Sequence, residues 1–243
     1  GADRDAQTSY HLSKRDADDY LASLPLRSYI VQPSLVYGRD GASARTFRAL
    51  ASMPFTLRFG SKAQLVQPIN VDDLVQAIVG LLKHRLPMMP GAGTSVRVPL
   101  VGPQAMPFTD YLGLLRSSMG MGRQRVLTLP GPVARLTAAI LPGTLISRDA
   151  LRMLDRDNTA DVMQTAMLLG HLPRSPSAFI GDPDGERARA KLGWLLPMLR
   201  YSIAAVWILT AIVSFGLYPV EASYALLART GIPPDLQPLM LYG

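Results

Sequence analysis

Tyr10-His11-Leu12-Ser13-Lys14 opens a segment with helical periodicity, in which Tyr10, Lys14 and Ala17 share one face and Leu21 extends it. Residues four apart on a helix stand one turn above each other, so the Tyr10 hydroxyl and the Lys14 ammonium meet at one point. An isolated phenol titrates near ~10, too weak an acid to exchange protons readily at neutral pH. A fixed positive charge beside it favours the phenolate. Tyr10 is thereby a candidate general acid or base toward a substrate oxygen. The same spacing is also common on helix surfaces, where a half-buried tyrosine merely neighbours a solvated lysine.

The next segments sharpen the choice. Arg27-Ser-Tyr-Ile-Val-Gln32 is a β-rich run that leads into Pro33-Ser34-Leu35-Val36-Tyr37-Gly38, a strand with a Gly-ended turn. A helix with Tyr-x-x-Ser-Lys, then a strand, then Pro-x-x-Val-Tyr-Gly resembles the extended short-chain dehydrogenase/reductase family, of the NAD-dependent epimerase/dehydratase type. The resemblance implies an α/β fold in which residues 1–100 are the C-terminal part of a Rossmann-like NAD(P)-binding domain and residues 101–195 a small substrate-binding portion. It implies Tyr10 as the acid/base and Lys14 as the cation that lowers its pKa and hydrogen-bonds the nicotinamide ribose. The backbone of Pro33, Ser34, Leu35 and Val36 would line the nicotinamide side. Gln32 stands where the family commonly has arginine. The family carries a Gly-rich phosphate-binding turn and a catalytic Ser/Thr upstream of the tyrosine, so the sequence reads as a fragment without that N-terminal half. The choice between NAD and NADP lies in the same missing half.

Composition narrows the classes further. The 243 residues include no cysteine, which excludes disulfides and thiolate metal sites. His11, His84 and His171 are scattered without metal-ligand spacing. The formal charge is +7, but the arginines are dispersed and aromatics make up 7% of the chain. A nucleic-acid groove needs a basic stripe with stacking aromatics, so no nucleic-acid partner is expected. A basic balance beside an apolar span suits a membrane surface.

Further along, the pattern predicts a helix over Ser43–Met53, a strand Phe55–Phe59, an extended piece Gln64–Ile69 and a helix from Asn70 to His84. Asp72 and Asp73 fall in the first turn of that helix, where carboxylates complement its dipole. Pro-Ile-x-Val-Asp-Asp-Leu is another landmark of the resembled family, with histidine commonly where Asn70 stands. Val96–Gly102 reads as a strand, and Thr109 as the cap of a helix Asp110–Met119. A helix Val133–Leu141 is expected in the proline-broken stretch after Val126. Another runs from Ala160 to Leu169 and ends at Gly170. Leu-x-x-Asp-Asn at Leu154–Asn158 resembles a narrower subgroup that includes the dehydrogenase-like accessory subunit of respiratory complex I.

Between Arg200 and Glu221 no residue is charged. At ~1.5 Å per residue, Tyr201–Val220 reads as a helix that crosses a ~30 Å hydrocarbon layer. Trp207, Tyr201 and Tyr218 supply aromatics, the tyrosines near the ends where interface anchors belong. Arg187, Arg189, Lys191 and Arg200 precede the span, which places the soluble part on the cytoplasmic side of the inner membrane. Residues 196–243 resemble the start of a DoxX-like membrane domain, a helical bundle of which only this first crossing is present.

Two functions remain open at this level. One is a membrane-anchored NAD(P)-dependent oxidoreductase or epimerase acting on an unknown small molecule, with quinone or a lipid-like compound among the candidates. The other is a non-catalytic nucleotide-holding subunit of a membrane redox complex. The Tyr201–Val220 span supplies no titratable or redox group of its own.

Overall fold

Ser28–Pro33 is β-branched and aromatic in character and forms strand β1, whose Ile30 is buried. In the computed structural model, which describes residues 9–59, 64–84, 95–129, 159–214 and 219–242, β1 runs parallel to β6, Ser95–Leu100. Their register pairs Ser28 with Ser95 and Pro33 with Leu100. The chain then leaves that partner at Ser34 and Leu35. It resumes as β2, Val36–Tyr37, parallel to β5, Ile69–Asn70. β3, Thr56–Phe59, is parallel to β8, Val126–Leu129. Among the described residues, only β4, Leu65–Val66, and β7, Met106–Pro107, pair antiparallel. Parallel pairing requires long crossovers, and helices supply them. This is a mixed α/β architecture.

Among the described residues, five α-helices of the first unit precede the long one: α1, Ser9–Ser23; α2, Ala42–Ser52; α3, Val71–His84; α4, Phe108–Ser118; and α5, Met163–Leu169. Each sits within a few residues of its expected place, and the shifts have local causes. Thr109 does not cap α4. That helix begins at Phe108, directly after β7, because the Phe108 N–H is satisfied at 2.9 Å by the Gln64 carbonyl. The Thr109 hydroxyl donates to Asp110 Oδ1 instead. α5 starts late because the Ala160 N–H is held by the Gln67 side chain, while Asp161 Oδ1 accepts the N–H of Met163. Gly170, at φ 76°, closes α5 as expected. The expected helix Val133–Leu141 and the Leu154–Asn158 motif lie outside the described residues.

Two apolar cores result. Ile69, Ala77, Leu81, Val98, Leu100 and Leu168 fuse α3 and α5 with the β1–β6 pair. Here α3 and α5 approach so closely that a Cβ on Gly80 would lie 2.4 Å from the Leu168 carbonyl oxygen. The second core gathers Tyr37, Phe108, Tyr111, Leu112, Leu115 and Phe179. Tyr37 stacks on Phe179 with centroids 4.9 Å apart, and Phe47 meets Phe108 and Tyr111 edge-on.

The chain divides into two compact units, Gly1–Trp194 and Leu195–Gly243. A 30-residue helix, α6 (Pro183–Ile212), carries an 18-residue window of mean hydropathy 1.7 with none of it buried. At 1.5 Å per residue that window spans ~27 Å, long enough for a bilayer core. Among the described residues it is the one helix long and apolar enough to cross a membrane. As described, α6 ends at Ile212, inside the uncharged run Tyr201–Val220. Pro219, at φ −59° and ψ 131°, is extended and caps a new helix, α7, Val220–Arg229. Its ring offers no N–H to continue the ladder of α6. A 3₁₀ turn at Pro234–Leu236 and α8, Gln237–Tyr242, follow.

Candidate functional site at the carboxyl ends of the parallel strands

In open parallel sheets, ligands bind outside the carboxyl ends of the strands. For β1 and β6 that end is formed by Pro33 and Leu100, and Pro33, Ser34, Leu35 and Val36 make the turn that crosses from β1 to β2. Pro33 is exposed and Ser34 buried. The Ser34 N–H donates to the Leu100 carbonyl at 2.9 Å, and the Leu35 carbonyl accepts the Ile69 N–H at 2.9 Å. The Ser34 hydroxyl donates to the Gln67 carbonyl at 2.5 Å. Its side chain is thereby committed to the fold, and only backbone and apolar surface of the turn remain for a ligand.

Tyr10 lies in the first turn of α1, with Lys14 one turn on. Lys14 and Ala17 are exposed and Leu21 is 43% exposed, while Leu12, Arg15 and Asp18 form the half-buried face. Asp18 and Asp19 fasten the helix to the parallel pair. Gln32 Nε2 donates to Asp18 Oδ2 at 2.9 Å, and Arg97 Nη2 donates to Asp19 Oδ1 at 2.5 Å. Gln32, at the position where the resembled family commonly has arginine, is engaged in holding this helix.

The two aspartates of the Asn70–Leu74 motif are structural, by a route that dipole reasoning alone does not reveal. Asn70 Oδ1 accepts the Asp72 N–H at 2.9 Å, so asparagine serves as a helix cap here. Asp73 is 1% exposed and accepts from the Arg174 N–H at 2.7 Å and Arg174 Nε at 2.8 Å. The Asp73 carboxylate beside it holds the Arg174 guanidinium above its ordinary pKa. Arg174 also reaches Asp72.

Sequence reasoning missed a buried charge cluster. Glu186, in the first turn of α6, is 2% exposed. Arg39 Nε and Arg189 Nη1 each donate to its Oε1 at 3.0 Å, and buried Arg48 Nη1 donates to Oε2. Arg48 Nη2 also donates to the Arg39 carbonyl at 2.6 Å. The guanidinium of Arg48 lies 6.0 Å from the Tyr37 ring centroid. Burial raises the Tyr37 phenol above its ordinary pKa against the opposing pull of Arg48, and burial raises Tyr111 further still. Among the described residues no group of three acidic or histidine side chains is arranged to hold a metal ion.

Comparison with known proteins bears on the two ends of the chain separately. No curated protein matches the sequence. The solved structures similar to it include UDP-glucuronic acid 4-epimerase from Bacillus cereus in complex with UDP-glucuronic acid and NAD. That structure is 18% identical, with a TM-score of 0.46 over 79% of this chain and 58% of the other. ADP-L-glycero-D-manno-heptose-6-epimerase from Helicobacter pylori is 17% identical, with a TM-score of 0.48 over 75% and 52%. A nucleoside-diphosphate-sugar epimerase from Pseudomonas aeruginosa is 17% identical, with a TM-score of 0.48 over 77% and 55%. The chain thus spans between 52% and 58% of the length of these three. At its C-terminal end, residues 204–243 match the DoxX-like family.

Proposed function

We propose that the protein is a membrane-anchored NAD(P)-dependent oxidoreductase or epimerase-like enzyme built on a Rossmann-like dinucleotide-binding part, residues 1–100, and a substrate-binding portion, residues 101–195. The observation that carries this reading is the fastening of α1 onto the β1–β6 pair by Gln32–Asp18 and Arg97–Asp19. It ties the helix bearing Tyr10 and Lys14 to the strands whose carboxyl ends form the Pro33–Val36 turn. In this reading a nicotinamide dinucleotide lies against the backbone of Pro33, Ser34, Leu35 and Val36. When bound, the nicotinamide ring supplies hydride transfer. Tyr10 exchanges a proton with the substrate oxygen, and Lys14 stabilises the phenolate and binds the ribose. The apolar window of α6 and the DoxX-like segment after it hold the protein in the inner membrane, with the basic residues before the span on the cytoplasmic side.

The test is dinucleotide binding by the full-length protein in detergent, followed by absorbance at the reduced nicotinamide band with candidate ketones and quinones. Tyr10→Phe is expected to retain dinucleotide binding and to lose about 10²-fold or more in turnover. Unchanged turnover would remove Tyr10 from the mechanism. Binding without turnover for any substrate would favour a subunit that uses the nucleotide for stability, and fold alone does not decide between these roles.

A further inference from the structure

Gln67 sits between β4 and β5, is 3% exposed, and joins three separate parts of the chain. Its carbonyl accepts from the Ser34 hydroxyl at 2.5 Å and from the Gly102 N–H at 3.2 Å. Its side-chain amide donates to the Gly102 carbonyl at 2.9 Å, and its Oε1 accepts the Ala160 N–H at 2.9 Å. Next to it, the Pro68 carbonyl comes so close to Gly102 that a Cβ there would lie 1.8 Å from the oxygen. The Val101 N–H is held at 2.9 Å by buried Thr165 Oγ1. The turn after β1, the turn after β6 and the lead-in to α5 are therefore cross-linked through one glutamine.

These are the segments that edge the carboxyl end of the β1–β6 pair. The amide is well suited to the place because it offers a donor and an acceptor on one rigid plane. A charged carboxylate would lack the donor for the Gly102 carbonyl, and an apolar side chain would leave the Gly102 carbonyl and the Ala160 N–H without their buried partner. Two of the four bonds, from the Ser34 hydroxyl and the Gly102 N–H, run to the Gln67 backbone carbonyl, and two, to the Gly102 carbonyl and from the Ala160 N–H, belong to its side chain.

We propose that Gln67 is a positioning residue for ligand binding: it sets the Pro33–Val36 turn and the Gly102 turn at the spacing a nicotinamide dinucleotide requires. This rests on the nicotinamide reading given above. The test compares the full-length wild type with Gln67→Leu and with Arg174→Leu, which weakens the distant Asp73 clamp and serves as a match for general destabilisation. NADH and NADPH affinity is read by fluorescence titration and amide exchange by mass spectrometry without nucleotide. Gln67→Leu is expected to weaken dinucleotide binding about tenfold or more, since small misplacement of a binding edge is costly. Arg174→Leu is expected to leave affinity near the wild-type value. Exchange in Gln67→Leu should quicken at Ala160, whose N–H loses its Oε1 partner, ahead of the rest of the sheet. Equal affinity of Gln67→Leu and wild type, or equal losses in both variants, would overturn the proposal while the nicotinamide reading stands. A wild type that binds neither nucleotide would overturn that reading and the ligand part of this one. Unchanged exchange at Ala160 would overturn the positioning part by itself.

Discussion

At the scale of single residues, the decisive chemistry is the treatment of buried charge. Glu186 neutralises Arg48 where neither meets water, and Arg39 and Arg189 complete the carboxylate's shell from the surface. Removing one member of a buried pair strands the other. Glu186→Ala should therefore lower stability by about 3–5 kcal/mol, read as the midpoint of urea unfolding of the detergent-solubilised protein. The double replacement Glu186→Leu with Arg48→Met should recover most of that loss, because no uncompensated charge remains. If the double variant is as unstable as the single one, the cluster does more than compensate charge. The buried phenols of Tyr37 and Tyr111 make a second prediction. Among the described residues, the Tyr111 hydroxyl has no hydrogen-bond partner. Burial raises both pKa values above the unfolded value near ~10. A raised acid favours the folded state while it is protonated, so this contribution is full below pH ~10 and is lost as pH climbs past it. Alkaline titration of stability should fall off above that pH, and Tyr111→Phe should flatten the decline; an identical decline would assign it to other groups.

At the scale of elements, the close contact of α3 and α5 depends on an absent side chain. Gly80→Ala would push a methyl group against the Leu168 carbonyl and force the helices apart, at a cost of about 1–3 kcal/mol. Thermal unfolding checks this, and an unchanged midpoint would mean that the two helices part without penalty. The elements themselves were largely legible in the sequence. Leu74, Ala77, Ile78 and Leu81 recur at helical spacing, and α3 follows them. Ser28–Pro33 and Ser95–Leu100 have the composition of buried strands, and both form. What the sequence left out is non-local. The segment Asp184-Gly185-Glu186-Arg187 reads as solvated helix start, and nothing near it signals that Glu186 meets Arg48, 138 residues earlier. Thr109 has the residue type of a cap, yet a carbonyl from β4's lead-in took that role. Asp73 shows its place in a first turn but not its partner Arg174, 101 residues on. Of the candidate site, the order of Tyr10, Lys14 and the Pro33–Val36 turn was readable. The Gln67 cross-link was not, because a glutamine between two short strands carries no periodic signal.

At the scale of the whole molecule, one helix carries residues of two different environments. In α6, Glu186 and Ala190 are buried in the first unit, and every residue from Leu195 to Ile212 is exposed. Such a surface is stable only where apolar side chains are removed from water, and a lipid core does so at about 25 cal/mol per Å². Leu209→Arg should reduce membrane integration, since a central arginine costs about 2.5–3.5 kcal/mol on insertion. Carbonate extraction of membranes measures the effect, and full retention of the variant would place residue 209 outside the hydrocarbon. The Glu186 cluster also dictates an order of events during synthesis. Arg48 and its neighbours emerge from the ribosome long before the carboxylate that neutralises them, and at about 5–20 residues per second the interval is roughly 7–28 s. Throughout that wait Arg48 lacks the carboxylate that pairs with it in the folded state. The cluster's carboxylate arrives on the same helix that carries the exposed apolar window. A stall of translation shortly before residue 186 would thus leave a nascent chain in which Arg48 lacks the carboxylate that pairs with it in the folded first unit.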